Sequence, residues 1–127
     1  MPAPTNAPAV PEHGIYFFEI VAEDAEATRD FYADNFGYVF GDAVPEFGGS
    51  FVADLPEGSM ISIRGSMHEM ETPIVRIYLR VSDVHAATAK AEAGGAMILL
   101  PPTEIPGRGQ FAIYQQSGIQ QGIWQTP

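Results

Sequence analysis

Three arginines, one glutamate and two aromatic residues carry most of the recognition chemistry this chain could perform. Glu19 lies in YFFEIV, Arg64 ends MISIR, and Arg76, Tyr78 and Arg80 alternate through VRIYLRV; Trp124 stands near the C-terminus. A guanidinium presents a planar fork of donors that fits a carboxylate or phosphate through two parallel hydrogen bonds, and an aromatic ring supplies stacking area. The histidines, His13, His68 and His85, are never two or four residues from one another, so no pair of metal ligands can be read from their spacing. Ser62 has no partnered base in the pattern, so no catalytic residue is assigned. The GRG run at 107–109 is too short for a phosphate loop and reads as the turn before a strand.

The elements that must position these residues come in two similar sets. Residues 16–21 are aromatic and β-branched and predict a strand, with Tyr16, Phe18 and Ile20 on one face and Phe17, Glu19 and Val21 on the other. Asp24 is a suitable N-cap, Glu26 falls in the first turn of a helix, and Gly37 ends it. The spacing of Ala27 and Phe31 makes Phe31 the expected core anchor of that helix. Short strands are predicted at 38–40, 50–54 and 59–64, the last placing Met60, Ser62 and Arg64 on one face. A second set follows: a strand over 75–81, a helix capped by Asp83 and closed by Gly94 and Gly95, then strands over 97–100, 110–114 and 119–124, with PPTEIPGRG as a loop.

Bulk composition narrows the function. The 127 residues suffice for one domain with a real core. Sixteen acids against six bases give a formal charge of −10, which repels phosphate backbones and anionic lipid, so neither nucleic acid nor membrane is an expected partner. The absence of cysteine excludes disulfides and thiolate chemistry. No secretory leader or membrane span is predicted, and a cytoplasmic location is the expectation. Residues 1–13, rich in proline, read as a flexible tail. Residues 14–127 read as a single domain, with module one at 14–65, a polar connector at 66–73 and module two at 74–127.

The two modules repeat. Phe51 and Phe111, Gly49 and Gly109, Gly58 and Gly118, and Ile63 and Ile123 are each sixty residues apart; the first strands match best at fifty-nine, pairing Phe18 and Ile20 with Ile77 and Leu79.

The runs FFEIVAEDAEATRDFYADNFGY and VSDVHAATAKAEAGGAMILLPPTEIPGRGQFAIYQQSGIQQGIWQ resemble small glyoxalase-like members of the vicinal oxygen chelate superfamily, which includes glyoxalases, bleomycin resistance proteins and extradiol dioxygenases. The resemblance covers about residues 14–125. It implies an α+β fold of two tandem βαβββ modules, forming a curved mixed sheet around a cavity with the helices on the convex face. Tyr16, Phe18, Ile20, Ile77, Leu79 and Val81 would then lie under the helices. The ligand-binding residues would be Phe17, Glu19, Ser62, Arg64, Arg76, Tyr78 and Trp124, with Arg80 and Gly122 on the same face and Glu19 placed to pair with Arg76.

The resemblance also implies positions for a divalent metal on the first and last strands of each module. These fall on Phe17, Ser62, Arg76 and Gly122, none of which is a good ligand. No metal or other cofactor is therefore expected, and metal-dependent glyoxalase activity is not expected either. The reading is a protein that binds a small anionic or aromatic molecule between its modules and forms a homodimer. The alternatives are a metal-dependent lyase or dioxygenase-type enzyme using other ligands, and an interaction module whose cavity is filled by side chains such as Phe17 and Trp124.

Overall fold

A computed structural model of the chain describes residues 10–127. The chain is α+β and divides into two compact units, one holding residues 17–75 with Val10 and the other residues 11–16 and 76–127. The division therefore falls at Val75 and Arg76. Of the expected tail, residues 1–9 lie outside the described residues. Residues 11–14 form a turn whose His13 N–H donates to the Arg80 carbonyl, while the Arg80 N–H donates to the Gly14 carbonyl.

The first unit contains β1 (Ile15–Val21, from Phe17 onward), α1 (Ala25–Phe36), a short 3-10 turn (Pro45–Phe47), β2 (Phe51–Asp54) and β3 (Met60–Arg64). Its strands run in the order β2-β3-β1, with β1 parallel and β2 antiparallel to β3. Asp24 caps α1 by accepting the Ala27 N–H at 3.0 Å, and Gly37 closes it in the left-handed region. Ala25, Thr28, Arg29, Tyr32 and Ala33 face inward, at the spacing of a helical stripe. Ala25 and Tyr32 join Phe18 against a core of Ile20, Ala53, Ile61 and Ile63.

Two expectations fail in this unit. Phe31 is 54% exposed, because the stripe that meets the strands runs one residue out of step with Ala27 and Phe31. Residues 38–40 form no strand. The Gly41 N–H reaches the Val52 carbonyl, but Tyr38 and Phe40 contribute their rings to the core instead of backbone to a ladder.

The second unit contains β4 (Ile74–Arg80, from Arg76 onward), α2 (Val84–Ala93), β5 (Met97–Ile105), β6 (Gly109–Gln116) and β7 (Ile119–Gln125), with strands in the order β4-β7-β6-β5. Asp83 caps α2 through the Ala86 N–H at 3.0 Å. Val84 and Ala87 pack with Leu79, Val81, Ala112 and Ile123. β5 continues through Pro101 and Pro102 to Ile105, where a loop was expected. The prolines sit at register shifts on an edge strand, where a missing N–H removes no ladder bond that a neighbour needs.

The repeat is visible in the pairing. Glu19 lies opposite Ser62 and Ile20 opposite Ile63; fifty-nine and sixty residues later, Tyr78 lies opposite Gly122 and Leu79 opposite Ile123. In both units the first strand is parallel to the last. Among the described residues, no helix is long and apolar enough to cross a membrane.

Candidate functional site

The seven residues singled out by alternation fall into two constellations, one in each unit. Phe17, Ser62, Arg64, Arg76, Tyr78 and Trp124 are buried, and the Glu19 side chain is 14% exposed.

In the first unit, β1 and β3 lie side by side and place Phe17, Glu19, Ser62 and Arg64 on one face. Arg64 is the centre of this group, and its donors are directed to both sides. Its Nε donates to Glu19 Oε2 at 3.1 Å. Its Nη1 donates to Glu71 Oε1 at 2.9 Å and to the Gly65 carbonyl at 3.1 Å, and its Nη2 donates to Glu71 Oε2 at 2.7 Å. The Glu71 contact is thus a two-pronged, charge-assisted grip. Hydrogen bonds from Arg64 hold the Glu71 carboxyl well below its ordinary range, at about 2; burial opposes the shift and the Met67 N–H assists it. The same hydrogen bonds raise Arg64 above its usual value against the cost of burial, with Glu19 adding to the effect. Arg64 is therefore a permanent cation.

Beside it, the Phe17 ring packs on Phe47 with centroids 5.5 Å apart, and Ser62 Oγ donates to the Phe18 carbonyl at 3.4 Å. Within its own unit, Glu19 accepts a hydrogen bond from Arg64. Glu71 and Phe47 were not singled out from sequence. No periodic signal marks either one, since Glu71 lies in the connector and Phe47 in a loop turn.

In the second unit, Tyr78, Phe111 and Trp124 form an aromatic group. Trp124 stacks on Phe111 with centroids 5.5 Å apart, meets Tyr78 edge-on at 5.7 Å, and donates its Nε1–H to the Arg108 carbonyl at 2.9 Å. The Tyr16 ring lies 5.9 Å from that of Trp124, so Tyr16 does not follow the helix-side placement expected from alternation. The backbone before Phe17 is tied to β4 through the Arg80 hydrogen bonds, and this sets the Tyr16 ring beside the aromatic group. Arg76 Nη2 donates to Gln120 Oε1 at 2.6 Å.

Gly122 lies directly opposite Tyr78, whose ring rests on it. A Cβ at 122 would stand 2.0 Å from Tyr78 Cδ2. Side chains of any kind are thus excluded there while the ring stays in place. Among the described residues, no group of three or more His, Cys, Asp or Glu is arranged to hold a metal ion.

Comparison with known proteins agrees with this architecture. The chain is 28% identical over 114 residues to CFP32 of Mycobacterium bovis, which carries a provisional glyoxylase name; the match covers 85% of this chain and 44% of that protein. It is 21% identical over 125 residues to the anthracycline biosynthesis protein DnrV of Streptomyces peucetius, covering 85% and 45% of the two chains. The chain thus spans less than half the length of the curated relatives it matches. Among solved structures it resembles the methylmalonyl-CoA epimerase of Mycobacterium tuberculosis, with a TM-score of 0.74, 13% identity, and coverage of 97% of this chain and 93% of that one. The Streptomyces coelicolor methylmalonyl-CoA epimerase bound to 2-nitronate-propionyl-CoA gives a TM-score of 0.70 at 20% identity, covering 91% and 99%. At these identities the structural likeness speaks to the fold. The family model matches residues 14–120, nearly the whole described chain, and the protein belongs to the glyoxalase/bleomycin resistance protein/dioxygenase superfamily.

Proposed function

We propose that this chain binds a small acidic or aromatic molecule through its buried arginines and rings, without a resident metal. The observation that carries this reading is the grip of Arg64 on a carboxylate, two parallel bonds of 2.9 and 2.7 Å on a strand face beside Phe17 and Ser62. A guanidinium held this way by a regular strand is suited to a carboxylate-bearing ligand. Phe17, Glu19, Arg76, Tyr78 and Trp124 are the other residues we assign to binding.

The metal that the superfamily implies does not fit the four positions the resemblance assigns to it. Phe17 and Gly122 offer no donor atom, Arg76 is a cation, and the Ser62 hydroxyl is turned to a backbone carbonyl. The competing reading is a metal-dependent enzyme; the names of the structural neighbours, methylmalonyl-CoA epimerases, favour an enzyme but say nothing of a metal. Homodimerisation belongs to the proposal as well. Sedimentation at micromolar concentration tests it, and a monomer there would refute it.

Thermal melts with a panel of aliphatic and aromatic carboxylates decide the main point. Stabilisation by at least one class is expected, reduced in Arg76→Ala, with the melt unchanged by chelator. A stoichiometric metal with a chelator-sensitive melt would replace this reading with the enzymatic one.

A further inference from the structure

We propose that Glu71 is a built-in occupant of a carboxylate site on Arg64, and that an acidic ligand binds there by displacing Glu71 and releasing the strap of residues 65–73. The inference rests on the acid-binding reading above and names where that acid binds and what it moves.

Four features support it. First, the Arg64 fork is held by more than the Glu71 carboxylate. Arg64 ends β3, and Glu19 on β1 accepts its Nε–H at 3.1 Å. Removing Glu71 leaves the guanidinium aimed at the same place with its outer edge open. Second, the strap is tied chiefly to itself and to that fork. Glu71 Oε1 also accepts the Met67 N–H at 2.7 Å, the Glu71 N–H donates to the His68 carbonyl at 3.0 Å, and Ser66 Oγ donates to the His68 and Glu71 carbonyls. Third, residues 66–70, 72 and 73 are all exposed, so their release costs little buried apolar surface. Only the Met67 side chain, beside Gly48, reaches another loop among the contacts described.

Fourth, the exchange conserves charge. Arg64 carries one positive charge against the carboxylates of Glu19 and Glu71. With Glu71 withdrawn into water, a ligand carboxylate restores the same balance and the same two hydrogen bonds. No buried charge is left unmatched, which is the step that would otherwise be prohibitive. The tethered carboxylate acts as an internal competitor, so the strap lowers the apparent affinity for any acid by the fraction of time it is closed.

The probe is benzoate, with acetate as the aliphatic control. Glu71→Ala vacates the site and Glu71→Gln keeps the shape of the side chain while removing its charge. Benzoate is expected to bind Glu71→Ala about tenfold or more tighter than wild type, and to raise its melting temperature. Adding Arg64→Lys, which keeps the charge but loses the fork, should abolish that gain. In wild type, saturating benzoate should speed amide hydrogen exchange across residues 66–72. Equal benzoate affinity in wild type and both Glu71 variants, with exchange at 66–72 unchanged, would overturn the displacement while leaving acid binding intact. Folded Glu71 variants and wild type that bind neither benzoate nor acetate would overturn both the displacement and the Arg64 site. If Glu71→Ala fails to fold, Glu71→Gln and the exchange measurement on wild type decide the question.

Discussion

Substituting Gly122 by alanine should destabilise the second unit sharply. The added Cβ would stand 2.0, 2.2 and 2.5 Å from Cδ2, Cε2 and Cγ of Tyr78. Ordinary carbon–carbon contact lies at about 3.5–4.0 Å, so the ring would have to retreat by roughly 1.5 Å. It has little space to do so: Tyr78 is 2% exposed, with Trp124 edge-on at 5.7 Å and Phe111 at 6.1 Å. Overpacking a core costs about 1–3 kcal/mol, occasionally more, and this site belongs at the upper end. For a chain of this size that corresponds to a fall in Tm on the order of 10 °C. The assay is urea denaturation followed by the fluorescence of Trp124, the chain's single tryptophan, which touches the displaced ring. The companion variant is Tyr78→Leu in the Gly122→Ala background. Removing the ring should make the alanine nearly neutral relative to Tyr78→Leu alone, giving a coupling energy of about 1 kcal/mol or more. If Gly122→Ala lies within about 0.5 kcal/mol of wild type, the close approach of Tyr78 to the strand does not govern this position and the reasoning fails.

Further predictions concern pH, the core and the caps. Glu71 has a folded-state pKa of about 2 against an ordinary value of 4.5, so its contribution is fully present above about pH 5 and is lost as pH falls toward 2. The stability difference between wild type and Glu71→Gln, on the order of 1–2 kcal/mol at pH 7 after solvent screening, should therefore shrink through that window in urea titrations; Arg64 and His68 are the charged or titratable groups acting on it. A difference independent of pH from 7 to 2 would refute the assignment. Ile63 has no solvent exposure, and Ile63→Ala should cost about 2–5 kcal/mol in the same denaturation assay. Asp83→Ala removes the acceptor for the Ala86 N–H and should cost about 1 kcal/mol, with Asp83→Asn close to wild type.

Much of the fold is local and was legible in the chain itself. The caps at Asp24 and Asp83 depend on one side chain and a backbone N–H three residues on, so their sequence signature is nearly their structure. The sixty-residue repeat carries strand alternation with it, and the pairing of Glu19 with Ser62 and of Tyr78 with Gly122 follows that register. Alternation likewise brought Phe17, Glu19, Ser62 and Arg64 to one face and Tyr78 and Trp124 into one group. Which partners these side chains choose was decided by tertiary structure. The stripe of α1 that packs inward differs by a single residue from the one suggested by Ala27 and Phe31, and only contact with the strands settles such a phase. Tyr38 and Phe40 have strand-like composition, yet their rings are worth more in the core than their backbones are in a ladder. Arg64 is held by Glu71, seven residues away across a connector with no periodic pattern, because charge pairing in a buried site depends on proximity in space, which sequence spacing does not encode.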